Sequence, residues 1–219
     1  MPKAPRTPEE VELVRQAILA AALKIIVEDG YKGFSMRKLG RSMGMTAKTI
    51  YNYFINKDEI YLRVLTTGFE LLYNDLLISS RAHDDPWQKL QAMTRAYIAF
   101  GTSRPNYYDI MLTWYVPKYN DFMNTDLEPM AAAELQAARK NSLLFIKTII
   151  ELGNCYGHLD SDNARQDFIE LFVGLHGTVS LYNNTILSYV HEHPEEILTT
   201  LISSLVARFE PKQKIVEVE

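Results

Sequence analysis

Two short stretches of this chain read alike: Thr7-Pro8-Glu9-Glu10 and Asp85-Pro86-Trp87-Gln88. Each places a helix-capping side chain before a proline, a residue that suits the first helical turn and disrupts later ones. The apolar residues behind Thr7 then recur in steps of three and four: Val11, Val14, Ile18, Ala21, Ala22, Ile25 and Ile26. That is the period of one buried helix face. Similar signals predict helices from Met36 to Met43, Ala47 to Phe54, Lys57 to Ser80, Pro86 to Phe100, and Pro105 to Pro117. Further helices are predicted from Leu127 to Leu152, Ala164 to Tyr189, and Pro194 to Phe209. Gly30, Gly44, Gly153 and Gly157 are read as stops. No segment alternates as a half-buried strand does. The predicted fold is all-α, with a small N-terminal helical unit of three helices (1–57), a larger helical domain (58–210) and a flexible tail (211–219).

Hydrophobic residues make up 47% and charged residues 23% of the 219, which excludes disordered and low-complexity classes. A single cysteine excludes a disulfide framework. The first ten residues lack the apolar stretch of a signal peptide, and no apolar run approaches the ~18 residues of a membrane span. A cytoplasmic protein without a membrane partner is expected. Its net charge of −4 hides a strong asymmetry: residues 1–57 carry +5 and the rest −9. From Gly30 to Lys57 there are six basic residues and no acidic one. Such a patch on an acidic protein suits a polyanion.

Two short helices joined at Gly44 have helix-turn-helix spacing. If Ile50 and Phe54 pack on Leu39 and the first helix, then Ala47, Lys48, Tyr51 and Asn52 face outward. A cation, a phenol and an amide together suit phosphate and base-edge hydrogen bonds.

The segment FSMRKLGRSMGMTAKTIYNYFINKDEIY resembles the N-terminal domain of TetR-family transcriptional repressors, through Gly30-Tyr31, Ser35 to Gly40, Gly44, Thr46, Ile50-Tyr51, Phe54, Lys57 and Glu59. The resemblance implies a homodimer that binds double-stranded operator DNA, an inverted repeat, and leaves it when a small-molecule effector binds. It implies phosphate contacts from Thr46, Tyr53 and Lys57, with Tyr53 where histidine is more usual. It places Tyr51 at the family's recurrent recognition-helix tyrosine and Arg37 at a position that reads a base in some members. Ala47, Lys48, Thr49 and Asn52 are the candidates for sequence readout. Gly40 stands where alanine is usual, which is expected to loosen the second helix by up to ~1 kcal/mol. Lys3 and Arg6 form a short basic arm, read chiefly as a solvated terminus.

Eight aromatic residues fall between Tyr97 and Phe122, against 11% in the whole chain. Any one of them belongs first to a core; together they can line an apolar pocket with polar handles. Tyr108, Met111, Trp114 and Tyr115, with His176 on a later helix, are the candidate ligand contacts. The expected effector is apolar, aromatic or weakly cationic. The last two long helices carry apolar stripes and are expected to form the dimer interface. Cys155, His158 and Asp160 make a weak nucleophilic constellation in a glycine-broken loop, and His191 with His193 supplies only part of a metal shell. No enzyme activity, metal or cofactor is expected. The alternative function is a helical small-molecule-binding protein that does not act on DNA.

Overall fold

The computed structural model describes residues 6–114 and 116–211. Among them are nine α-helices and no strand. They are α1 Pro8–Gly33, α2 Met36–Ser42, α3 Ala47–Tyr51, α4 Lys57–Arg81, α5 Pro86–Ser103, α6 Pro105–Tyr108, α7 Glu128–Tyr156, α8 Ala164–Asn183 and α9 Pro194–Ala207. Lys3, part of the basic arm, lies outside the described residues, as does the tail from 212 onward.

The chain forms two compact units. Among the described residues, the first runs to Phe69 and takes in Asn106–Ala137; the second is Glu70–Pro105 with the residues from Ala138 to Pro211. The first unit thus extends past the division at residue 57 read from the sequence. It contains the start of α4 and a returning segment far along the chain.

In the first unit the predicted caps form. Thr7 accepts the N–H of Glu10, and the Glu10 carboxylate accepts that of Thr7. Gly30 interrupts α1 with φ 70°, a left-handed conformation that glycine adopts without a Cβ penalty. Ile18, Ala22, Ile25 and Ile26 of α1 are buried with Leu39, Ile50, Phe54, Ile60 and Leu65. At the start of α4, Asn56 Oδ1 accepts the N–H groups of Asp58 and Glu59. Glu59 reaches back to the N–H of Ile55 at 2.7 Å and pairs with Arg63 at 3.1 Å, which explains how a carboxylate only 3% exposed is accommodated.

In the second unit α5, α8 and α9 pack on one another. Their core includes Leu90, Met93, Tyr97, Phe168, Leu171, Leu175, Val179 and Val206. The buried hydroxyls of Thr94, Thr148 and Thr178 each donate to the carbonyl four residues earlier, so they enter the core with a partner.

Three predicted boundaries are corrected. Gly153 does not end α7, which runs on to Tyr156, and the left-handed stop comes at Gly157, φ 69°; the glycine at 153 fits a close contact, since a Cβ there would lie 2.9 Å from the Leu159 carbonyl oxygen. Second, α8 ends at Asn183, not Tyr189, since Thr185 turns left-handed and a 3-10 turn follows over Ile186–Tyr189. Third, the helix from Pro105 gives way to a π-helical turn at Asp109–Thr113, after which Trp114 is extended.

Candidate nucleic-acid interface

The turn between α2 and α3 is shaped by two glycines. Gly44 has φ 64°. Gly40 passes so close to the turn that a Cβ would lie 2.8 Å from the Met45 carbonyl oxygen and 3.1 Å from the Ala47 nitrogen. The Met45 N–H donates to the Gly40 carbonyl at 2.8 Å. The glycine read as a weakness of α2 is what allows this close approach.

Ser35 caps α2 by accepting the Lys38 N–H, and Thr46 caps α3 by accepting the Thr49 N–H at 3.1 Å. α3 itself is shorter than predicted, ending at Tyr51. Tyr53 and Phe54 still donate their N–H groups to the Ile50 carbonyl, at 2.9 and 3.1 Å. Ile50, Phe54 and Leu39 are all 2% exposed or less. Burying them turns Lys48, Tyr51 and Asn52 outward, with Tyr51 53% exposed. Ala47 and Thr49 are half-buried, and the Thr49 hydroxyl lies 2.9 Å from that of Thr46.

Arg37 is exposed at the start of α2. It borders a cleft of about 500 Å³ together with Ser35, Ala47, Tyr51, Asn56 and Lys57. Lys38 is paired with Asp29. Arg37 and Lys48 have no ion-pair partner among the described residues, so their charge faces outward. Lys57 Nζ lies 4.4 Å from the centre of the Tyr31 ring, a cation–π seat.

Several supporting contacts were not read from the sequence. Arg15 donates to the Tyr53 carbonyl at 2.5 Å and its guanidinium lies 4.4 Å from the Phe54 ring centre. It also pairs with Glu59 at 3.6 Å. The Arg6 side chain donates to the Tyr53 hydroxyl. Tyr31 donates to Asp58 and packs on Tyr61 with ring centres 4.8 Å apart; burial and Asp58 push its phenol pKa up. These partners are 25 or more residues apart, beyond the reach of any local pattern.

The candidate ligand residues divide between the units. Tyr108 and Met111 are buried in the first, and a Cβ on Gly68 would lie 2.4 Å from the Met111 sulfur. Trp114 is half-buried and lines a cleft of about 680 Å³ with Tyr31, Val116 and Pro117. Tyr115 lies outside the described residues. His176 is in the second unit, on a ladder of rings along α8: its ring centre is 6.1 Å from Phe172, which is 5.7 Å from Phe168. Burial lowers its pKa. The Cys155–His158–Asp160 constellation has other engagements: His158 Nε2 is 3.1 Å from the Phe209 carbonyl oxygen, and Asp160 accepts from Asp162 and Asn163.

Comparison with known proteins identifies the arrangement. A family model described as bacterial regulatory proteins, tetR family, matches residues 18–64. One described as tetracyclin repressor-like, C-terminal domain, matches residues 90–205, just over half of the chain. The chain belongs to the tetR family. It is a helix-turn-helix protein of a family of DNA-binding transcription regulators. It is 27% identical over 124 residues to the HTH-type transcriptional activator FasR of Mycolicibacterium smegmatis. That match covers 57% of this chain and spans about half the length of the curated relative, 52%. The tetR fold also recurs in solved structures. Regulatory protein SCO4313 has a TM-score of 0.74 and 17% identity, over 93% of this chain and all of that one. AibR, solved in complex with isovaleryl coenzyme A and operator DNA, has a TM-score of 0.64 and 18% identity, over 90% of this chain and 99% of that one. Among the described residues no helix is long and apolar enough to cross a membrane, and no group of three His, Cys, Asp or Glu side chains is arranged to hold a metal.

Proposed function

We propose that this chain is a dimeric repressor that binds an inverted-repeat operator and leaves it when a small apolar or aromatic molecule binds. The observation that carries the reading is the outward face of α3, polar and cationic, beside the Arg37–Lys57 cleft. Lys48, Tyr51 and Asn52, with Ala47 and Thr49 at the edge, read base edges from the major groove, and Arg37 adds a contact from α2. Thr46, Tyr53 and Lys57 hold phosphates and fix the register. Residues 1–57 read DNA, and residues 58–210 take the effector and the second copy.

The candidate effector contacts in this reading are Tyr108, Met111, Trp114 and Tyr115 from residues 106–137 and, in the second unit, His176. AibR supports an effector on this fold, since its structure holds an acyl-coenzyme A with operator DNA. The mechanism is a population shift: operator favours one arrangement of the two recognition helices, effector another. The protein acts in the cytoplasm and needs no cofactor. A second reading, activation, is favoured by the name of the curated relative.

The test is transcription in vitro from the promoter flanking the coding region, with titrated protein and a panel of hydrophobic compounds. Repression relieved by at least one compound is the expected result. Stimulated transcription would turn the reading to activation. Absence of any salt-dependent binding to that DNA or to random duplexes would return the chain to the small-molecule-binding alternative.

A further inference from the structure

We infer that the cleft lined by the end of α1 and by Trp114, Val116, Pro117, Lys118 and Asp121 is an effector site inside the first unit, taking a flat aromatic molecule with one carboxylate. Backbone conformation opens it. Gly30 breaks α1 and carries Tyr31 out of the helical path, while Trp114 leaves the π-turn in an extended conformation, φ −81° and ψ 147°. The two aromatic side chains line the same cleft with Val116 and Pro117, giving it apolar walls. About 680 Å³ is room for a two-ring molecule.

The charges at its rim select the class. Asp29 is paired with Lys38. Asp121 accepts the backbone N–H of Lys118 at 2.8 Å, and Lys118 Nζ donates to the Met111 carbonyl at 3.0 Å. Lys32 is exposed and has no ion-pair partner among the described residues. Both carboxylates are engaged and one ammonium is open, so an anionic head fits and a cationic one meets no unengaged acid. The lining residues all belong to the first unit, and the His176 ladder belongs to the second.

Occupancy has a route to DNA. The ring of Tyr31 is both a wall of the cleft and the seat of Lys57. A ligand stacked on Tyr31 alters that seat, and through it the phosphate contact given to Lys57; this last link rests on the proposed DNA-binding function.

The test is calorimetry of the full chain without DNA, using 2-naphthoate, 2-naphthamide and 2-naphthylmethylamine. The naphthoate should bind at one site per chain, about tenfold tighter than the amide and more so than the amine. Lys32→Gln, a change at an exposed position, should reduce naphthoate affinity to that of the amide, and Trp114→Leu should abolish all binding. Equal affinities for the three probes, naphthoate binding unchanged in both variants, or no binding at about 1 mM would overturn the site. A parallel titration of random duplex DNA should weaken with naphthoate in the wild type and respond less in Lys57→Ala. Naphthoate binding with unchanged DNA affinity would overturn the link through Lys57. If the protein without ligand bound no DNA, the DNA reading would fail while calorimetry still judged the cleft.

Discussion

The outward face of α3 and the outward face of α8 differ in what they leave uncovered. α3 shows solvent Lys48, Tyr51 and Asn52. α8 shows Ile169, Val173 and Leu181, with Val173 64% exposed, and Tyr189 and Val190 follow at 79% and 77%. α3 buries Ile50 and α8 buries Phe168, Leu171, Leu175 and Val179, each in its own unit, so the difference lies in the second face. Polar groups with unmet hydrogen bonds suit a hydrated, charged partner such as DNA. A run of aliphatic side chains suits another apolar surface. A second copy of the chain, related by a two-fold axis, is the partner proposed for α8 and α9.

The largest effect expected from breaking this comparison is at Val173. Val173→Asp should leave the protomer folded, because the side chain is exposed there, yet place an unpaired charge in the proposed interface. A cost of about 3 kcal/mol or more would weaken the dimer over a hundredfold. Sedimentation velocity across a concentration series checks it, with circular dichroism confirming the fold. Leu205 is a poorer probe. A Cβ on Gly174 would lie 2.2 Å from its methyl carbon, so Leu205→Asp strikes the packing of α8 on α9 within one protomer. A wild-type protein that stays monomeric at micromolar concentration while binding a palindrome normally would end the comparison.

Next in size are the cations of the first unit. Lys57→Ala should weaken binding to all DNA sequences by about 1 kcal/mol and flatten the salt dependence by about one unit of slope. Lys48→Ala should shift the preferred operator sequence, read by selection from a random library. If both left operator affinity unchanged at fixed salt, α3 would not be the docking face.

The smallest effect concerns the inward side of α8. Burial lowers the pKa of His176 from its ordinary value of 6.5, so the folded state favours the neutral ring. The stability this contributes is present above pH 6.5 and is lost as pH falls below it. His176→Phe keeps the ring ladder and removes the titration. Between pH 7 and 5 its midpoint in urea should fall less than that of the wild type. An equal fall in both proteins would show that His176 does not contribute.

Much of the candidate interface was legible because its signals are local. Ser35, Thr46 and Asn56 cap helices within three residues of themselves, and Ile50 with Phe54 orients α3 by spacing alone. The ligand candidates were harder. Eight aromatics in 26 residues mark a crowded segment but do not distinguish Tyr108, which is fully buried, from Trp114, which lines an open cleft. Burial depends on what packs from elsewhere in the chain.

The residues alone sufficed for the all-α class, the helix starts, a break at Gly30, a left-handed turn at Gly44, and the charge division that points the first 57 residues at a polyanion. These follow from hydrogen bonds and conformational preferences that span a few residues. Packing explains why position 153 of α7 is glycine: a Cβ there would lie 2.9 Å from the Leu159 carbonyl oxygen, a contact that no local pattern announces. Only the tertiary structure put Lys57 on Tyr31 and Tyr31 on Tyr61, and returned residues 106–137 to the unit that holds α2 and α3. Such contacts join residues with no fixed sequence spacing, and they form only where the packing of whole helices brings the side chains together.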